Sequence, residues 1–316
     1  MKYLFFYGVV LCATLQASQG IAQTKTVAER LGYPANTKLL IIHADDLGVS
    51  HSENEASFAA MEKGAVNSGS IMVPCPWFPE VAAYARLHPQ ADLGLHLTLT
   101  AEWKHYKWGT VASKNEVSSL LTDRAFMPED PATIATQARI EEVEKELRAQ
   151  IERAQLFGID FTHFDTHMGT LVASVELAKL YIKLGHEYKV PILMHRGMAR
   201  AMLNINLDDY LQPNDVVLDQ IYMAQPAHFA SGMKNFYEGV LRDVKPGLNC
   251  LLLHAAYDNA EMQAITIDHP DYGAAWRQAD YDFFSSAECK KLLKEQNIQL
   301  VTWREIRDKL VRELKR

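Results

Sequence analysis

Four short polar segments interrupt apolar stretches of this 316-residue chain, and each holds residues able to ligate a metal or move a proton. The first is His43-Ala44-Asp45-Asp46-Leu47-Gly48. A carboxylate pair can divide labour, one binding a cation while the other accepts a proton from water. Adjacent strand residues face opposite ways, so both aspartates reach one site only if the strand ends near Asp45 and the chain turns, as Gly48 permits. The competing reading has them cap the next helix. The second segment, Gly94-Leu95-His96-Leu97, places one histidine in an apolar strand, either a ligand or a hydrogen-bonded core residue. In the third, Phe161 to His167, the alternate residues His163, Asp165 and His167 share one face of a strand. Three ionisable groups buried on one face are costly unless they pair or bind a metal. The fourth, Leu252-Leu253-His254-Ala255-Ala256-Tyr257-Asp258, ends a buried-looking strand in histidine, again a functional or a core residue. Together the segments supply a carboxylate and imidazoles for a metal, a second carboxylate as base and a remote histidine as acid. Two histidines and an aspartate with open positions suit hydrolysis, because water and substrate must both reach the ion.

All four segments fall at the C-terminal ends of expected strands. Short apolar runs alternate with amphipathic stretches, the pattern of repeated βα units. Strands are expected at Leu39 to Ala44, Ser70 to Val73, Leu93 to Leu97, Phe161 to His167, Pro191 to His195, Val216 to Leu218, Cys250 to His254 and Gln299 to Thr302. Eight runs in one α/β domain point to a (β/α) barrel, complete, distorted or incomplete, with a doubly wound open sheet as the alternative. Asp130-Pro131 starts a helix whose stripe Ile140, Val143, Leu147, Ile151 and Ala154 ends at Gly158. Ser52 with Glu55 reads as a capping box for a helix closed by Gly64, which leaves Asp45 to His51 between strand and helix at the reactive face of a barrel. Thr100 to Pro131 is a long connection holding Trp103, His105, Tyr106 and Trp108. It is either a binding loop or lid, or a surface excursion pinned by its aromatics.

Met1-Lys2-Tyr3 followed by the apolar run Leu4 to Leu15 has the layout of a secretory leader, with cleavage expected after Gly20 or Ala22 and one domain over 23–316. The run is shorter than the ~20 apolar residues of a spanning helix, and Gln16, Ser18 and Gln19 follow at once. The mature chain is therefore expected in the periplasm or outside the cell, without a membrane span. Cys12 lacks the preceding small residue that a lipidated cysteine needs. Cys75, Cys250 and Cys289 are an odd set that implies no disulfide framework, and Cys250 reads as a buried hydrophobe. A net charge of −7 without a basic run argues against a nucleic-acid partner.

The ordered set HADDLG, GLHLTLT, THFDTHMG and LLHAAYD resembles the YdjC-like carbohydrate deacetylases, which include chitooligosaccharide deacetylases, from about Leu39 to the C-terminal region. That resemblance implies a barrel-like (β/α) domain and one divalent ion, Mg or Zn, on Asp46, His96 and His167. It also implies that Asp45 is the base, and that the substrate is an acetylated mono- or oligosaccharide. In this reading His254 protonates the departing amine, and Asp165 orients a histidine from behind. His163 stands beside these groups, Arg277 binds substrate or steadies Asp45 unless it forms a surface salt bridge, and Trp103 and Trp108 stack on a sugar ring. Two positions depart from the family pattern. Met168-Gly169 stands where further histidines are common, removing a polar group near the substrate. His254-Ala255-Ala256 replaces a frequent His-Pro-Gly, altering the turn that aims His254. Hydrolysis of another amide or ester would use the same residues, and a non-catalytic sugar-binding protein is the third reading.

Overall fold

The structure is a computed structural model that describes residues 25–312, so the leader expected over 1–22 lies outside the described residues. Seven parallel strands carry the fold: β1 Lys38–Leu47, β2 Ser68–Ile71, β3 Leu93–Leu97, β4 Phe164–Thr166, β5 Gln220–Met223, β6 Gly247–Leu253 and β7 Ile298–Leu300. The sheet order is β4-β3-β2-β1-β6-β5, with β7 pairing the start of β1. Single bridges, Phe164 to Ile192 and His195 to Leu218, carry hydrogen bonding across the gap between β4 and β5. This is a distorted (β/α) barrel rather than a doubly wound open sheet. The expected strands at Pro191 to His195 and Val216 to Leu218 survive only as those bridges, and β5 follows two residues later.

Burial explains the strand choices. Leu39 to Ile42 of β1 are fully buried on both faces, as a central parallel strand covered by helices and filled by barrel side chains must be. The expected long helix after Pro131 divides in two, Pro131–Gln137 and Ile140–Leu156, with extended backbone at Ala138 and Arg139. Asp130 caps the first by accepting from Thr133 N, as expected. Val143, Leu147, Ile151 and Ala154 of the second are fully buried against the sheet, each of the three larger ones worth about 1.5–3 kcal/mol of burial. The helix after β1, His51–Lys63, is capped by Ser50 rather than Ser52, because Ser50 Oγ accepts from Glu53 N at 2.9 Å. Ser52 Oγ donates instead to the carbonyl of Tyr257 at 2.7 Å. All three described cysteines are free and buried.

The glycine of the GLH segment has a packing reason. A Cβ at Gly94 would come within 2.5 Å of Nδ1 of His163, whose ring is fully buried and stacks on Trp303 with centroids 5.2 Å apart. Gly94→Ala should cost about 1–3 kcal/mol through overpacking. An unchanged melting temperature would show that the ring moves aside freely.

Candidate active site

The aspartate pair reaches one cavity through a bulge, not through the end of a strand. β1 continues to Leu47, but its register with β2 shifts between Ala44 and Leu47, and Asp46 adopts φ 62°. Left-handed backbone is uncommon away from glycine, and aspartate is among the residues that tolerate it best. Gly48, at φ 100°, donates its N–H to Asn54 Oδ1 at 2.7 Å and fixes the turn into the next helix.

Around that bulge the structure assembles Asp46, His96 and His167. Asp46 Oδ1 lies 3.4 Å from His96 Nε2 and 3.2 Å from His167 Nδ1, and each residue offers one ligand atom within 4.8 Å of the others. Every member is held from behind. Asp46 Oδ2 accepts from Arg277 Nη2 at 2.8 Å, while Nη1 of the same guanidinium donates to Glu53 at 2.8 Å. His96 Nδ1 stands 2.9 Å from Asp165 Oδ1. Asp165 Oδ2 accepts from Ser70 Oγ at 2.8 Å and from His43 Nε2 at 3.0 Å. His167 Nε2 is 2.9 Å from Glu102. Asp46 Oδ1 is buried without an aligned hydrogen bond, a costly condition that a cation would relieve. One such carboxylate oxygen facing two imidazole nitrogens fits a divalent metal ion.

Protonation follows from the same neighbours. Burial works against the Asp46 charge, but Arg277, His167 and His254 together outweigh it and hold the carboxyl well below the usual range. Burial likewise opposes a charged His167, yet Glu102 and Asp46 carry it up to about 10. A cation at this place would have to displace that proton. Asp45 is pushed well above the usual carboxylate range, first by burial and then by Asp46. Its Oδ1 lies 3.2 Å from Nε2 of His254, whose imidazole is pushed down to about 3 by burial and by Arg277. The His254 backbone N–H donates to Asp280 Oδ2 at 3.0 Å, and Asp280 Oδ1 in turn accepts from Tyr237 at 2.5 Å. That anchor sets the turn where Ala255 and Ala256 stand.

Several expectations need correction. Arg277 steadies Asp46, not Asp45. It is no surface ion pair either, because it is 1% exposed and both arms are engaged. His163 does not line the cavity: it sits below His43 in the barrel, 5.0 Å between centroids, with Nδ1 2.9 Å from Thr162 Oγ1. It also precedes β4 rather than lying on it, so only Asp165 of the three alternating residues is a strand residue. Trp103 and Trp108 part company. Both are buried, but Trp103 lines the cavity, its ring 5.4 Å from the Arg277 guanidinium, whereas Trp108 does not line it and donates to the Thr100 carbonyl at 3.0 Å. Trp108→Ala should therefore lower stability by about 3–5 kcal/mol and leave KM unchanged, while Trp103→Ala should raise KM more than it lowers kcat. Melting curves and steady-state kinetics on the two variants check this, and the opposite pattern would reverse the assignment.

Asp45, Asp46, His96 and His254 open onto a cavity of about 680 Å³. Glu53, Glu102, Ser70, His43 and Asp280 were not assigned roles from sequence. Only His43 carried a signal, inside the HADDLG segment.

A family model for YdjC-like protein matches residues 39–295. The chain belongs to the YdjC-like family. Among YdjC-like relatives, a carbohydrate deacetylase of Thermus thermophilus is 32% identical over 288 residues, covering 89% of this chain and 98% of the relative. A carbohydrate deacetylase of Brevibacillus brevis is 27% identical, covering 84% and 99%. The YdjC-like fold recurs in the crystal structure of a proposed cellobiose-phosphate cleavage protein from Enterococcus faecalis, with TM-score 0.71 and 22% identity over 84% of this chain and 98% of that one.

Proposed function

We propose that this protein is a metal-dependent hydrolase that removes acetyl groups from N-acetylated sugars or oligosaccharides. The observation that carries the reading is the juxtaposition of Asp45 and His254 beside the convergent Asp46, His96 and His167, in a chain whose relatives are carbohydrate deacetylases. Asp46, His96 and His167 would hold a divalent ion. Such an ion supplies Lewis acidity, polarising the amide carbonyl and lowering the pKa of water. Asp45 accepts the proton of the attacking water, and its raised affinity for protons in this buried setting suits that task. The His254 imidazole is uncharged at rest, pushed down to about 3, so it takes that proton from Asp45 across their 3.2 Å contact and delivers it to the departing amine. Asp280 and Tyr237 hold its backbone in place for that transfer. Asp165 and Glu102 fix the rings of His96 and His167 from behind, so that each presents one nitrogen to the cluster.

The test is metal analysis of the purified protein followed by acetate release across a panel of acetylated sugars. The expected result is close to one divalent ion per chain, with equal amounts of acetate and new sugar amine. Turnover of other amides or esters alone would replace the substrate class, and sugar binding without turnover at any metal loading would point to a non-catalytic binding protein. Export rests on the leader-like start of the chain. Finding the protein in the cytoplasmic fraction of its native cell would overturn that part. Among the described residues no helix is long and apolar enough to cross a membrane.

A further inference from the structure

One wall of the active cavity has a chemistry that sugar recognition does not call for. Met168, Met194, Met198, Met202 and Met223 all line it, five of the 11 methionines in the chain. They come from the turn after β4, the segment leading to the helix Arg196–Leu203, that helix itself and the end of β5. Met168 is 45% exposed, Met198 39%, Met202 55% and Met223 38%, and no other described methionine is exposed. Val172, Leu193 and Ile221 continue the surface. Exposed apolar side chains are ordinary when scattered, but a contiguous set inside a functional cavity marks a binding surface.

His195, between Met194 and Met198, has little left to offer a hydroxyl, which leaves Gln225 beyond β5 as the polar side chain this wall presents. His195 Nε2 lies 3.0 Å from the Asp219 carbonyl, and its Nδ1 accepts from Met198 N at 3.2 Å. The aromatic Trp103 and Tyr272 and the cluster residues line the same cavity, and neither aromatic belongs to the elements that carry the methionines. Among the described residues Arg277 is the only lysine or arginine lining the cavity, and both its arms are committed to Asp46 and Glu53. Among the described residues the cavity therefore offers no uncommitted lysine or arginine to pair with a phosphate on the substrate. Methionine is unbranched and polarisable, and adapts to flexible apolar ligands better than branched side chains do.

The geometry points to a substrate in which the acylated sugar carries an apolar chain that lies along the methionine wall, with no phosphate beside it. This inference rests on the proposed sugar deacylation at Asp45 and His254. The chain could be an alkyl aglycone or an N-acyl group longer than acetyl. The two share one chemistry and differ in where they join the ring.

Two substrate pairs separate them, with the metal-loaded enzyme throughout. Methyl against octyl glycosides of N-acetylglucosamine probe the aglycone, and N-acetyl against N-octanoyl forms of the methyl glycoside probe the acyl group. We expect kcat/KM at least about tenfold higher for the octyl member of one pair, the scale of burying several methylenes. In the Met198→Gln, Met202→Gln double variant that ratio should fall toward one, with a melting temperature close to wild type. Calorimetric binding of the octyl and methyl glycosides is read in parallel. Tighter octyl binding with no turnover of anything would remove the deacetylase reading and keep the apolar subsite. Ratios within twofold for both pairs, with equal binding, would overturn the subsite. So would a double variant that changes only the sedimentation of the protein, since the wall would then be an interface between copies of the chain.

Discussion

Asp45→Asn should lower kcat about 10²-fold or more while metal content stays near wild type, and Asp46→Asn should fail in the opposite order, losing metal first. The two residues are neighbours in sequence but not in circumstance. Asp46 has one oxygen clamped by Arg277 and the other aimed between two imidazoles, the position of a ligand. Asp45 has no guanidinium contact, and its Oδ1 faces His254. An amide at 45 keeps the shape but cannot take a proton. Excess divalent metal should therefore partly restore Asp46→Asn and leave Asp45→Asn unchanged. Activity assays paired with metal analysis decide the matter: a swapped pattern would exchange the two roles, and near-normal turnover in both would sink the hydrolytic mechanism.

Arg277→Met should be among the most destabilising single changes near the site. The guanidinium is buried between two buried carboxylates, and removing it leaves both charges without a partner, a loss of about 3–5 kcal/mol. For a domain of this size that corresponds to roughly 5–8 °C in melting temperature. Metal affinity should fall as well, because Asp46 loses the contact that aims it. Burial pushes Glu53 up to about 8, with Arg277 opposing, so its carboxyl can take up a proton once the arginine is gone. Adding Glu53→Gln to Arg277→Met should then recover part of the lost stability, by about 1 kcal/mol or more. Strictly additive losses would mean that Glu53 and Arg277 are not coupled. Arg277→Lys would not substitute, since a single ammonium cannot span both carboxylates as the forked guanidinium does.

The sequence was informative where chemistry and strand ends coincide. HADDLG, GLHL and DTH each contributed a member of the convergent cluster, because an ionisable residue closing an apolar run stands out against its neighbours. The barrel was legible from the alternation of runs, although Pro191 to His195 and Val216 to Leu218 were too weakly paired to form strands. What remained hidden were partners distant in the chain. Glu53 meets Arg277 across 224 positions and Glu102 meets His167 across 65, and an exposed-looking glutamate on a helix or in a loop carries no local mark of such a meeting. The role of Arg277 was misplaced for the same reason. The fates of Trp103 and Trp108 depended on which way the loop folds over the cavity, and composition does not record that. The capping serine was missed by two positions because both Ser50 and Ser52 offer a hydroxyl, and only the backbone angles at Ser50 are extended as a cap requires.

The left-handed backbone at Asp46 also restricts how this protein can drift. Most side chains placed there would strain the bulge in addition to losing whatever the carboxylate does, so a chance substitution would damage folding and chemistry together. Asparagine and glycine are the exceptions, since both accept that conformation. A descendant that abandoned the reaction yet kept the barrel should therefore more often carry asparagine or glycine at this position than alanine or glutamate. In sequences of uncertain activity, that residue distinguishes a retired site from a remodelled one.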